Sequence, residues 1–197
     1  MRELLRDADE SATETPRDRA LGTLCVVGNI PEYLDPDGLF AFLAHDVPTV
    51  MLQHTRRLIF KRFYHDEELF RVKEVIQRDR FIGGTYTPVL KVAQANIKRE
   101  RIETPERLRC VVAHELGHGL MMTGLYWSEL SDFNAARHQE PVHVSEYVTW
   151  VAEKLPGSLL GEDFAETIAL LLTEPDHLQA IAPLRHEAMT QILAAHA

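Results

Sequence analysis

Apolar residues follow two different spacings along the chain, and each spacing predicts a different kind of element. A short continuous apolar run at 23–30, partly β-branched and followed by Pro31, predicts a buried strand. A turn signal at 35–38 comes next, and apolar residues at helical spacing begin at Leu39. This part of the chain therefore predicts a strand followed by a helix.

The middle of the chain has a weaker pattern. Residues 47–77 are ambiguous between strand and helix, although apolar positions within 69–76 predict a helix near the end of that segment. The glycine pair at 83–84 and Pro88 then punctuate a stretch rich in threonine, tyrosine and valine. That composition predicts a β-hairpin with a strand at about 89–93 or beyond.

A strong helix start signal follows at Thr104. Its hydroxyl can cap a helix, Pro105 occupies the first helical position, and Glu106 places an acid in the first turn. Apolar residues at helical spacing continue down to Gly124, which is a suitable stop. The sequence therefore predicts a helix over about 104–122.

Beyond Gly124 the pattern predicts a long polar surface loop with a short turn of helix, and then more helices. Residues 145–155 have a helical pattern, and Ser158 is a candidate cap for a helix that stops at Pro175. A last amphipathic helix is predicted at about 183–196. These elements together predict an α+β fold whose C-terminal half is helical.

The length and composition indicate one globular domain. The chain has 197 residues, of which 45% are hydrophobic and 26% charged, so neither general disorder nor a fibrous repeat is expected. Residues 1–20 are polar and predict a loosely held arm, which leaves 21–197 as a single domain. We expect a cytoplasmic protein with no membrane partner, because neither a signal peptide nor an apolar run of membrane-spanning length is present.

The charge distribution argues against nucleic acid as a partner. Residues 51–110 carry 14 basic and 8 acidic groups, but the whole chain has a net charge of −9 and gains little from binding phosphates. The two cysteines, Cys25 and Cys110, have no CxxC spacing and lie among apolar residues. They are expected to be small buried hydrophobic residues rather than ligands.

The helix over 104–122 contains the motif H-E-x-x-H. Residues four apart lie on one helix face, so His114 and His118 can both reach one tetrahedral Zn²⁺ at about 2.0–2.1 Å. Glu115 is placed to take a proton from a water beside the metal and to pass it to a leaving amine. Gly117 is expected to leave room near the metal. The motif therefore predicts a catalytic zinc centre.

A catalytic zinc centre usually has a third protein ligand, which the motif itself does not supply. The metzincin pattern would need glycine at 121 and histidine at 124, but the chain has Met121 and Gly124. Several acidic residues remain as candidates: Glu129, Asp132, Glu140, Glu146, Glu162, Asp163 and Glu166. Glu162 and Glu166 stand out because they are four apart on a second predicted helix, so one could bind the metal while the other holds a ligand histidine.

The succession HELGH, SEY and EDFAE resembles the family of the anthrax lethal factor catalytic domain, which includes the Pro-Pro endopeptidases. The resemblance implies that Glu162 is the third zinc ligand, that Glu166 supports the centre, and that the Tyr147 hydroxyl stabilises the oxyanion. Tyr147 lies farther ahead of Glu162 than is usual in that family, which implies an insertion around 150–160 that is looped out. Tyr126 is the fallback for the oxyanion donor.

The same resemblance covers about residues 80 to 175 and implies a small zincin-like metallopeptidase fold. It implies a short mixed sheet in which the strand at 89–97 is the edge strand over the cleft. A protein or peptide substrate would bind there as an extended strand. The sequence thus predicts an α+β zincin-like domain with its zinc centre in the helical half.

These observations lead to the expectation of a zinc-dependent endopeptidase, with Glu115 as the general base. One alternative is an intracellular regulatory peptidase of the repressor-cleaving or radiation-response type, although its last glutamate usually lies nearer the motif. Another alternative is a zinc-binding regulatory module without turnover. The presence of Glu115 argues against that module, since a binding site does not need a base.

Overall fold

A mixed sheet and a larger group of helices form the described part of the chain, which comprises residues 19–21, 24–61, 84–96 and 102–196 of a computed structural model. The strands are β1 Arg19–Leu21, β2 Leu24–Val27, β3 Arg57–Lys61, β4 Gly84–Thr87 and β5 Val92–Asn96. The helices are α1 Pro36–His45, α2 Thr49–Gln53, α3 Pro105–Thr123, α4 Trp127–Gln139, α5 Glu146–Lys154, α6 Leu159–Thr173, α7 Pro175–Ile181 and α8 Pro183–Ala195. The predicted α+β class with a helical C-terminal half is confirmed.

The sheet has the strand order β1-β2-β3-β5-β4. Its three central strands are parallel, whereas β1 and β4 pair antiparallel with their neighbours and form the two edges. Burial alternates along the central strands, which indicates that one face packs against the helices. The buried strand residues are Leu24, Val26, Leu58, Phe60, Ala93 and Ala95. The buried strand predicted at 23–30 is confirmed as β2.

The predicted hairpin is present, but the assignment of its edge strand was wrong. Residues 88–91 form the turn, with Lys91 in the left-handed region at φ 53° and Val89 93% exposed, so β5 begins only at Val92. The strand β5 pairs with both β3 and β4 and is therefore interior. The edge that faces α3 is β4, which the sequence pattern had placed before the expected strand.

Two predictions fall wholly or mainly outside the described residues. The helix predicted within 69–76 lies there, and so do residues 1–18 of the predicted polar arm. The end of that arm is described: Arg19 and Ala20 pair with β2 as part of β1.

The helix α3 forms as its start signal predicts. The Thr104 hydroxyl accepts a hydrogen bond from the Arg107 backbone N–H at 3.2 Å, and the helix lies between the sheet on one side and α6 on the other. A side chain at Gly119 would meet Tyr86 of β4, and one at Gly117 would meet Ala165 of α6. Gly117 was expected to leave room near the metal, but its missing side chain allows the approach of α6.

The polar loop predicted after Gly124 is wrong, because α4 occupies most of it. Only Phe133 and Ala136 of this helix are buried, so its apolar stripe is too sparse to give a clear helical pattern. Residues 150–160 are not looped out either: they form the end of α5, the 3₁₀ turn Pro156–Ser158 and the start of α6. The Ser158 side chain makes no capping hydrogen bond.

The main core lies between the sheet, α1, α3 and α6. A smaller cluster joins α5, α6 and α7 through Val148, Leu170 and Leu178. In the described ranges no helix combines the length and apolar character that a membrane span requires. The core therefore places α3 and α6 side by side near the middle of the molecule.

Candidate metal centre

Two helices bring the residues of the H-E-x-x-H motif together with the glutamate predicted as third ligand. His114 and His118 lie one turn apart on α3, and Glu162 lies in the first turn of α6. The Nε2 atoms of the two histidines are 3.1 Å apart, and Glu162 Oε2 lies 3.2 Å from His114 Nε2 and 3.5 Å from His118 Nε2. The three side chains form a group that could hold a metal ion.

The spacing of these three atoms is compatible with ligands of one metal ion. With metal–ligand bonds of about 2.0–2.2 Å, the ligand atoms of a tetrahedral site lie about 3.3–3.6 Å from one another. The observed separations of 3.1, 3.2 and 3.5 Å reach that range or lie just below it. The triangle is therefore about the size that three ligand atoms of one ion would form.

Glu166 fixes the orientation of His114. Its Oε2 lies 2.9 Å from His114 Nδ1, where an Nδ1–H group donates to this carboxylate and Nε2 is directed toward the triangle. Burial opposes the ionised form of Glu166, but the hydrogen bond to His114 holds the carboxyl pKa below its ordinary value. Glu166 thus contacts the ring nitrogen of His114 that does not face Glu162.

The charges of the cluster favour a cation at its centre. Burial tends to lower the pKa of His114, but its hydrogen bonds to Glu162 and Glu166 raise that pKa to about 10. Burial alone would raise the pKa of Glu162, yet hydrogen bonds to both histidines hold it well below its usual range. Burial lowers the pKa of His118, which favours the neutral imidazole that binds metals. The two carboxylates therefore stabilise positive charge where the ligand atoms meet.

Glu115 is buried beside this group without being part of it. Only 4% of its surface is exposed, and its Oε2 has no hydrogen-bond partner among the described residues. Burial raises the pKa of Glu115 to about 8, although the nearby His114 opposes the shift. The raised pKa makes the ionised form of Glu115 a stronger base, and its unpartnered oxygen lies next to the candidate metal centre, where it could accept a proton from a bound water.

Of the two candidate tyrosines, Tyr147 is the one that contacts the cluster. Its hydroxyl donates to Glu162 Oε2 at 2.9 Å, and the edge of its ring meets His114 with the ring centroids 5.8 Å apart. Burial, together with the charge of Glu162, raises the pKa of the Tyr147 hydroxyl. Tyr126 is 73% exposed and stacks on His196 instead.

Most of the other acidic candidates for a third ligand have different partners. Glu129 pairs with His196, Glu140 accepts hydrogen bonds from two backbone N–H groups of α8, and Asp163 pairs with arginines. Asp132 and Glu146 are exposed. Glu162 is therefore the acidic residue that the structure brings to the two histidines.

Sequence reasoning missed a charged network directly behind Glu162. Asp163 is bound by Arg185 of α8 and Arg137 of α4, and Arg185 is fully buried. An arginine in an amphipathic helix normally indicates a solvent-exposed face, so no signal in the sequence distinguished Arg185 from surface residues.

The fold and the site define an α+β protein whose candidate metal centre is made by two histidines and a glutamate from two adjacent helices. In comparisons with known proteins, no family model and no curated protein matched this chain. A function for this chain is therefore inferred from the H-E-x-x-H motif and from the geometry of the candidate metal centre.

Proposed function

We propose that this protein is a zinc-dependent endopeptidase. The observation that carries the proposal is the convergence of His114, His118 and Glu162 on one point, with Glu115 buried beside them and its Oε2 without a hydrogen-bond partner in the described residues. A module that only binds zinc would need the three ligands, but it would not need a buried acidic side chain with an unpartnered oxygen.

Zinc is the metal that suits this donor set. Two imidazole nitrogens and one carboxylate oxygen are typical of catalytic zinc centres, in which the fourth position stays open. Magnesium and calcium prefer sites made only of oxygen atoms. The separations of the three ligand atoms are compatible with this choice.

Each residue near the centre has a role in peptide hydrolysis. A Zn²⁺ ion held there would polarise the scissile carbonyl and lower the pKa of a water. Glu115 removes the proton from that water and passes it to the leaving nitrogen. Tyr147 donates its O–H to the oxygen that becomes negative in the transition state, and Glu166 keeps the His114 ring in the tautomer that binds metal through Nε2.

The substrate proposed for this centre is a protein or peptide in extended conformation. Within the described ranges β4 forms an edge of the sheet and pairs with β5, and Tyr86 of β4 lies next to Gly119 of α3, one turn beyond Glu115. An extended chain that adds to the outer side of β4 would pass close to the metal centre. The resemblance to the anthrax lethal factor and Pro-Pro endopeptidase family implied an edge strand at 89–97, and the proposal transfers that role to β4 because β5 is interior.

The proposal is tested by comparing the wild type with Glu115→Gln and Glu162→Ala. Zinc content is measured after gel filtration, and cleavage of a diverse peptide library is followed by mass spectrometry. We expect about one zinc per wild-type chain. Glu115→Gln should keep the zinc but lose cleavage by about 10²–10⁴-fold, since it cannot accept a proton. Glu162→Ala should lose tight zinc binding, because only the two histidines remain.

Three outcomes would contradict the proposal. A wild type that binds no zinc would remove the metal centre, and tight zinc binding by Glu162→Ala would show that the third ligand lies elsewhere. Equal cleavage by the wild type and Glu115→Gln would exclude Glu115 as the base.

A further inference from the structure

A fully buried arginine, Arg185 of α8, lies behind the metal centre and joins three parts of the chain. Its Nη1 atom donates to both carboxylate oxygens of Asp163 at 2.9 and 3.0 Å. Its Nη2 atom donates to the backbone carbonyls of Val142 at 2.7 Å and Glu140 at 3.4 Å. The guanidinium thus links α8 to Asp163 of α6, the residue after Glu162, and to the segment between α4 and α5.

Other charged groups complete this network. The Nε of Arg137 lies 2.9 Å from the second carboxylate oxygen of Asp163. The Glu140 carboxylate accepts the backbone N–H groups of Leu184 and Arg185 at 2.6 and 3.1 Å, so it caps α8 from outside that helix. Two acids and two arginines therefore neutralise one another in an interior site, and their positions are interdependent.

The first turn of α6 needs such support more than most helix starts. Glu162 lies in this turn directly after Gly161, and glycine is the poorest helix former apart from proline. The preceding Ser158 makes no capping hydrogen bond. Backbone N–H groups in a first turn lack helical partners, so an uncapped start tends to fray. Asp163 directly follows this turn and is bound by Arg185 and Arg137.

We infer that Arg185 is a positioning residue of the metal centre. Through Asp163, the residue after Glu162, it fixes the start of α6 and so the direction of the Glu162 side chain, and through the two carbonyls it fixes the segment that leads to α5 and Tyr147. This inference rests on the metal centre of the proposed function, but not on peptidase activity. It makes the C-terminal helix α8 a functional part of a site whose ligands all lie on α3 and α6.

A purely structural role of Arg185 predicts a different effect on zinc affinity from a positioning role. Buried ion pairs often contribute little net stability, because the cost of removing the charges from water offsets their attraction. Replacing both partners with apolar residues of similar size is therefore often tolerated by the fold. If Arg185 only fills the interior, such a replacement leaves zinc affinity unchanged, whereas a positioning role requires the affinity to fall.

The test compares zinc dissociation constants, measured by competition with a chromophoric chelator. The wild type is compared with the double variant Asp163→Leu/Arg185→Met and with Arg185→Lys. Arg109→Met is the matched control, because Arg109 forms its ion pair with Asp35 rather than with Asp163. We expect the double variant to bind zinc about 10–100-fold more weakly, as is usual when groups that support metal ligands are removed. Arg185→Lys should lie between the double variant and the wild type, and Arg109→Met should match the wild type.

A folded double variant with wild-type zinc affinity would overturn the inference and leave the proposed function intact. A wild type without zinc affinity would instead overturn the metal centre itself. If the double variant does not fold, amide exchange of the wild type decides. Because coupling between two sites is reciprocal, zinc must then slow exchange in α8 more than in α1, and equal slowing in both helices would overturn the inference.

Discussion

At the scale of single residues, the Tyr147 hydroxyl is needed as a donor by two different acceptors. Its hydroxyl donates to Glu162 Oε2, but the proposed reaction needs the same O–H at the substrate oxygen. Burial raises the Tyr147 pKa, so the hydroxyl keeps its proton at neutral pH. One O–H group makes one strong hydrogen bond at a time, so the bond to Glu162 must break when the oxyanion forms.

Substitution of Tyr147 by phenylalanine separates these two roles. We expect Tyr147→Phe to lower kcat by about 10²–10³-fold, as the loss of one oxyanion donor usually does, with little change in KM. Zinc affinity should fall by less than about tenfold, because the ligands remain. The measurements are steady-state kinetics on a peptide found in the library and zinc competition. Tyr126→Phe is the control and should behave as the wild type, and the reverse result would assign the donor to Tyr126.

The sequence could predict the residues of the metal centre because their signal is local. The four-residue spacing places His114 and His118 on one helix face whatever the rest of the fold does. Glu162 and Glu166 share the same spacing, and the family resemblance selected Glu162 as the proposed metal ligand. The partnership of Asp163 with Arg185 could not be predicted, because it joins residues 22 positions apart and nothing in their local pattern marks either as buried.

At the scale of elements, the centre depends on how closely α3 and α6 approach each other. A Cβ atom at Gly117 would lie 3.2 Å from Ala165 Cα and 3.3 Å from Ile168 Cγ2, which is tighter than an ordinary van der Waals contact. The two helices carry all three ligand atoms, so any change in their separation changes the triangle between His114, His118 and Glu162. Small residues at this crossing therefore set the geometry of the metal centre.

Gly117→Ala tests this dependence. The added methyl group should push α6 outward by a few tenths of an ångström, and overpacking of this kind costs about 1–3 kcal/mol. Alanine has a better helix propensity than glycine, which stabilises α3 by about 1 kcal/mol, so the net loss of stability should be small. Zinc affinity should fall about tenfold. Gly157→Ala is the control, because a Cβ there meets nothing within 4 Å. Unchanged affinity in Gly117→Ala would show that the crossing tolerates movement.

Helices and strands could be predicted where several local signals indicated the same element, but not elsewhere. The helix α3 has a cap at Thr104, a proline in its first turn and continuous apolar spacing. The helix α4 buries only Phe133 and Ala136 and therefore resembles a polar loop in the sequence. The interior position of β5 depends on pairing with β3, more than 30 residues earlier, and such non-local order leaves no mark in the local pattern.

At the scale of the whole molecule, the metal centre connects parts of the chain that are far apart in sequence. His118 and Glu162 come from different helices, and the buried network behind Glu162 extends the connection to α4 and α8. A ligand that binds only the folded chain stabilises it in proportion to the logarithm of its concentration. A zinc ion at this centre should therefore stabilise the whole domain rather than one helix.

Thermal unfolding measures this linkage. At a free zinc concentration 100 times the dissociation constant, the stabilisation should be about 2.7 kcal/mol. For a chain of this length that corresponds to a rise in Tm of about 5–10 °C, and a chelator should reverse it. Glu162→Ala provides the control: the variant lacks the third ligand, so the same zinc concentration should move its Tm by less than about 2 °C. Equal shifts in both proteins would mean that zinc binds at some other place, for example to surface histidines, and that the triangle of His114, His118 and Glu162 is not the metal centre.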